Sequence, residues 1–158
     1  MMDPSALIQS LGFVPVRGAV LAFGGIEAHG VLAGVPLVLR CVANQGAVWT
    51  KVIAAWSPPL DLRLALHGGH AGRAPGGLAF RGDDDATTEA LMTPAVRAGF
   101  ARLAPASGIT ADDAAVVLQL GSATSPAATD GEAIEREIRA FAALAAALAE
   151  ARLRLPYP

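Results

Sequence analysis

The chain has 158 residues, of which 53% are apolar and only 16% charged, with 12 basic side chains against 14 acidic and a net charge of −2. That length suits one domain with its own core. The absence of a concentrated basic footprint excludes a nucleic-acid binder, and the lone cysteine, Cys41, excludes an internal disulfide.

In chain order, residues 3–11 read as a short helix. Asp3 caps it, Pro4 fits the first helical position and Gly12 ends it, while Leu7, Ile8 and Leu11 share one face. From Phe13 to Leu66 the apolar period changes to two. Val16 to Phe23, a Gly24-Gly25 turn and Ile26 to Leu32 read as a hairpin. Ala33-Gly34 turns the chain into Val35–Val42, and Asn44-Gln45-Gly46 turns it again into Ala47–Trp56. Ser57-Pro58-Pro59 breaks the sheet, since proline donates nothing to a ladder. Leu60, Leu62, Leu64 and Leu66 then alternate with polar or small neighbours as a half-buried strand. Short turns force antiparallel neighbours, so this half reads as a meander.

Residues 68–77 form a Gly/Ala/Arg/Pro stretch, expected to be a mobile loop, and Leu78-Ala79-Phe80 restarts a strand. The second half reads as helical with one strand. Asp85 caps a short helix through Met92, and Thr93-Pro94 opens another that carries Val96, Phe100 and Leu103 at helical spacing. Ala115–Leu120 alternates as the strand. Thr129-Asp130-Gly131-Glu132 matches a capping box ahead of a helix running to about Leu153. Ile134, Ile138, Phe141, Ala145 and Leu148 make its apolar stripe, with Glu132–Arg136 and Glu135–Arg139 pairs on the wet side. The fold class that follows is α+β. An antiparallel meander of five to six strands carries a short N-terminal helix and a long C-terminal helix on one face, and residues 1–158 form a single domain.

Few residues here carry chemistry. His67 and His70 stand at an H-x-x-H spacing and His29 is the third histidine, but a zinc site needs three or four rigidly held ligands, and a glycine loop does not hold His70 rigidly. Asp83-Asp84-Asp85 and Asp112-Asp113 do not follow the order of a calcium loop. Their outweighing reading is as acids ahead of helices, where the dipole favours them. No glycine cluster forms a phosphate cradle, no serine sits in a nucleophile elbow, and Cys41 alternates with Leu37 and Leu39 as a small buried residue. Trp49 and Trp56, seven apart on one strand, point to opposite faces. Each is a candidate interaction anchor, because tryptophan is over-used at interfaces.

The succession Gly34-Val35-Pro36-Leu37-Val38, Trp49-Thr50, Leu60 to Leu66, Gly82-Asp83-Asp84 and Leu91-Met92-Thr93-Pro94-Ala95-Val96-Arg97 resembles an uncharacterised bacterial domain family over roughly residues 28–150. That family has no established activity, so the resemblance implies no site residues.

Catalytic, cofactor and metal residues are therefore all expected to be absent. The leading expectation is a non-enzymatic module that binds protein, itself or another. High apolar content with few charges implies more apolar surface than one molecule hides. The alternatives are a binder of an apolar small molecule or lipid between sheet and long helix, and a metal-dependent hydrolase using His29, His67 and His70. No apolar run approaches the ~20 residues of a bilayer-crossing helix, so no membrane span is expected. With no secretory signal pattern at Met1–Ser5, a reducing cytoplasm is the expected compartment.

Overall fold

The computed structural model describes residues 4–16, 25–44, 47–67, 79–103, 108–121 and 131–155. Helix α1 covers Pro4–Leu11 and buries Leu7, Ile8 and Leu11. Gly12, at φ +74°, turns the chain out of it in the left-handed region that glycine enters without steric cost. Phe13 then drops into the core, and Val14–Pro15 forms β1.

Strands β2 (Ile26–Leu32), β3 (Val35–Asn44) and β4 (Ala47–Ala55) follow as antiparallel neighbours. Ala33 and Gly34 both take positive φ between the Leu32↔Val35 pair, the two-residue turn whose twist suits a hairpin. The chain then leaves the sheet. It builds a two-stranded ribbon from β5 (Ala65–His67) and β6 (Ala79–Arg81), then helices α2 (Asp85–Ala90) and α3 (Pro94–Arg102). It returns through β7 (Gly108–Ala111) and β8 (Ala115–Leu120), with β8 antiparallel to β4. The six-stranded order is β1-β2-β3-β4-β8-β7. Helix α4 (Gly131–Leu153) closes the fold, so the architecture is α+β with both terminal helices on one side of an antiparallel sheet.

Alternation decides which side is buried. Ala28, Leu37, Leu39, Cys41, Thr50, Val52, Ala54, Val116, Leu118 and Leu120 face inward. The expected α4 stripe, Ile134, Ile138, Phe141, Ala145 and Leu148, is buried against them together with Leu144. Each buried Leu, Ile, Val or Phe among them contributes roughly 1.5–3 kcal/mol gross, most of it offset by chain entropy. Gly99 lets α3 approach α4, since a Cβ there would lie 3.0 Å from Leu144 Cδ1. At the other end the Ser10 hydroxyl donates to Glu135 at 2.8 Å, and Arg139 donates to the same carboxylate oxygen at 2.9 Å. These bonds hold the Glu135 carboxyl below the usual glutamate range, the serine bond first and Arg139 second.

The structure corrects three readings. Leu60–Leu64 is not a strand, and only Ala65–His67 of that alternation pairs, in the separate ribbon. Asp84 rather than Asp85 caps α2, its carboxylate accepting from the Ala86 and Thr87 amides. The second half holds a further pair-forming strand, β7, beside the expected β8. Thr93 caps α3 as expected, its hydroxyl accepting from the Val96 amide. The Val16–Phe23 strand lies mostly outside the described residues, as do the 68–77 loop, the Asn44–Gly46 turn tip and the first half of the capping box.

Candidate functional site

Three consecutive residues in the β7–β8 turn hold the segment that follows β4, residues 56–64. Asp112 uses its carboxylate locally, accepting from the Ala114 and Ala115 amides at 2.8 and 2.9 Å, an Asx-type turn. Its carbonyl accepts the Trp56 indole N–H at 2.9 Å, and the Ala114 carbonyl accepts the Trp56 amide at 2.9 Å. The Asp113 carbonyl accepts the Leu60 amide at 2.8 Å. The Asp113 carboxylate accepts the amides of Leu62, Arg63 and Leu64 at 3.3, 2.9 and 2.9 Å. In segment 60–64 the amides of Leu60, Leu62, Arg63 and Leu64 are therefore satisfied on one aspartate instead of on a ladder strand. This is why its leucine alternation survives as burial of Leu60 and Leu64 without strand pairing. Arg63 takes φ +50° inside the clamp.

Trp56 and Pro58, so held, receive Arg152 from the last turn of α4. The guanidinium lies over the indole, 5.9 Å from the ring centroid, and its Nη1 donates to the Pro58 carbonyl. Arg152 is only 8% exposed. Around it opens a groove of about 530 Å³, walled by the β2–β3 turn, the end of β4, Ser57-Pro58 and the α4 face from Ala145 to Leu153. Small side chains on both walls, Ala54 and Ala145 among them, leave that space between sheet and helix.

The second candidate surface is the opposite face of the sheet. Cross-strand register sets one row as Val14, His29, Val38, Ile53, Val117 and Thr110, and the next as Val31, Pro36, Ala55 and Ala115. A polar row, Glu27, Arg40, Lys51 and Gln119, flanks them. Trp49 stands beyond it, part-buried, around a small recess that it shares with Arg40, Lys51 and Gln119. Arg40 Nε donates to Glu27 at 2.8 Å and depresses that carboxyl's pKa, with His29 adding a weaker contact at 3.3 Å. Among the described residues no helix covers this face, and Val14 and Val31 on it are 69% and 62% exposed.

The two tryptophans thus divide as their spacing requires: Trp56 lies in the core beside the groove, and Trp49 on the open face. The histidines do not converge in the described residues. His29 lies on the open face and His67 on the ribbon, while His70 falls outside the described residues. No group of three metal-ligating side chains occurs among the described residues. Asp112 and Asp113 do not precede a helix as expected; they form a hairpin turn and a backbone clamp. Burial raises the pKa of the Cys41 thiol, which shares a hydrogen bond with the Thr50 hydroxyl at 3.7 Å. Sequence reasoning missed Arg152. The local signal was weak, an arginine on the apolar side of an otherwise alanine-rich turn. No described helix is long and apolar enough to cross a membrane.

No protein-family model, curated protein or solved structure matches the chain.

Proposed function

We propose that the protein is a non-catalytic interaction module that pairs with a second copy of itself through the open face of its sheet. The observation that carries this reading is the pair of apolar rows, Val38–Ile53–Val117 and Val31–Pro36–Ala55–Ala115, on a face that no described element covers. Here Val31, Pro36 and Ala55 are exposed and Val38, Ile53, Val117 and Ala115 part-exposed, and a contiguous apolar patch left without cover marks an interaction surface. Face-to-face stacking is favoured over edge addition because, among the described residues, both edge strands are short, two residues in β1 and four in β7.

Size and charge agree with a stacked pair. Six strands at about 4.8 Å and four rows at about 7 Å outline a face of roughly 500 Å² in projection. Two such faces in contact bury about 1,000 Å² or more, where stable interfaces begin. The polar row carries both signs, so a two-fold partner can set its Glu27 against Lys51, which has no ion pair among the described residues.

Sedimentation equilibrium tests the proposal. The parent protein is expected to run as a dimer at micromolar concentration. Ile53→Glu, which places a charge at the centre of the face, is expected to run as a monomer with an unchanged circular dichroism spectrum. A monomeric parent, or an Ile53→Glu variant that still dimerises, refutes it.

A further inference from the structure

The groove beside Trp56 lies on the helix side of the sheet and makes a separate demand on a ligand. We infer that it binds an apolar molecule ending in a carboxylate, of the fatty-acid type, with the carboxylate held by Arg152 and the chain lying between α4 and the end of β4. Arg152 is the reason. A guanidinium that is 8% exposed normally has a carboxylate beside it, because an uncompensated buried cation is costly. Among the described residues none of the ion pairs includes Arg152. Its partners are neutral, the Pro58 carbonyl and the Trp56 ring. Guanidinium carries five N–H donors in a planar fork that matches carboxylate in two parallel bonds. The indole beneath it and the carbonyl at Nη1 hold the guanidinium at the groove before any ligand arrives.

The walls set the rest of the ligand. Val35, Ala54, Val116 and Leu148 line the groove, and Leu153, 81% exposed, stands at its rim. A volume of about 530 Å³ falls in the range of small-molecule sites, which are apolar with a few placed polar groups. A peptide C-terminus also ends in a carboxylate, but its amides need hydrogen-bond partners. Among the described residues the polar side chains on these walls are those of Arg152, Ser57 and Trp56, and the Trp56 indole N–H is already taken by the Asp112 carbonyl. An alkyl chain meets no such demand.

Trp56 reports occupancy directly once the other tryptophan is removed by Trp49→Phe. In that background dodecanoate is expected to change Trp56 emission saturably, one molecule per chain, and dodecanol to bind at least about tenfold more weakly, as loss of one charge-assisted pair predicts. Arg152→Leu is expected to abolish the preference for dodecanoate over dodecanol, and Arg152→Lys to retain part of it. Ala149→Phe alters an exposed helix residue on the groove wall. It is expected to block both ligands while the thermal midpoint stays unchanged, and it keeps the test decisive if Arg152→Leu fails to fold. No saturable response to dodecanoate, equal affinity for dodecanol, or full binding by Ala149→Phe overturns the inference. So does a tetraleucine peptide with a free C-terminus that binds where dodecanoate does not.

Discussion

Replacing Asp113 tests the clamp that organises both the core strap and the groove. Its carboxylate accepts three backbone amides, those of Leu62 and Leu64 part-buried and that of Arg63 exposed. Hydrogen bonds to an ionised group are worth about 1.5–3 kcal/mol each. Water replaces the bond to Arg63, and Asp113 itself is half-exposed, so only two bonds count, at the low end of that range. Asp113→Ala should therefore cost about 3 kcal/mol, a fall of roughly 6–12 °C in thermal midpoint for a chain of this length. Asp113→Asn keeps Oδ1 for Leu62 and Leu64 but turns an amide donor toward the Arg63 N–H, and should cost about 1 kcal/mol. Urea titration followed by circular dichroism, at fixed protein concentration, measures both. Hydrogen exchange should show the amides of Leu62 and Leu64 losing protection before the sheet does. An Asp113→Ala protein within about 0.5 kcal/mol of the parent, the range of an ordinary surface substitution, would refute the reasoning.

Two further predictions follow from single contacts. The Glu135 carboxyl has a lowered pKa in the folded chain, so its contribution is fully present above the ordinary glutamate value and is lost as pH falls through the lowered one. Glu135→Gln should match the parent least at neutral pH and converge with it in acid, read as thermal midpoints across the acid range. A methyl at Gly30 would lie 2.0 Å from Phe13 Cδ1. Gly30→Ala should cost about 1–3 kcal/mol by overpacking, and less in a Phe13→Leu background, as a double-mutant cycle in urea would show.

Legibility followed locality. The helix start at Pro4, the cap at Thr93, the Ala33-Gly34 turn and the stripe of α4 depend on neighbours within four residues, and each stands where the pattern places it. Leu60–Leu66 shows the limit. Alternation reports which side chains are buried, and Leu60 and Leu64 are. It does not report where the amides go, and these go to an aspartate about fifty residues away. β7 escaped notice because four residues with one buried apolar position, Ile109, carry too short a period to distinguish strand from loop.

The open face divides the same way. Alternation along β3, β4 and β8 indicates that each strand has a second, partly apolar side, but only register aligns Val38, Ile53 and Val117 into one row.

The amino-acid order alone determined the class of fold, the starts of α1 and α3, the apolar stripe of α4 and the inward side of β3, because propensity, capping and periodicity are short-range. Tertiary structure alone decided that β8 returns beside β4, that one turn grips residues 56–64, and that Arg152 is buried over Trp56. Each of these is a contact between groups distant in the chain. Its free energy depends on the whole fold bringing them together, and no local pattern encodes that.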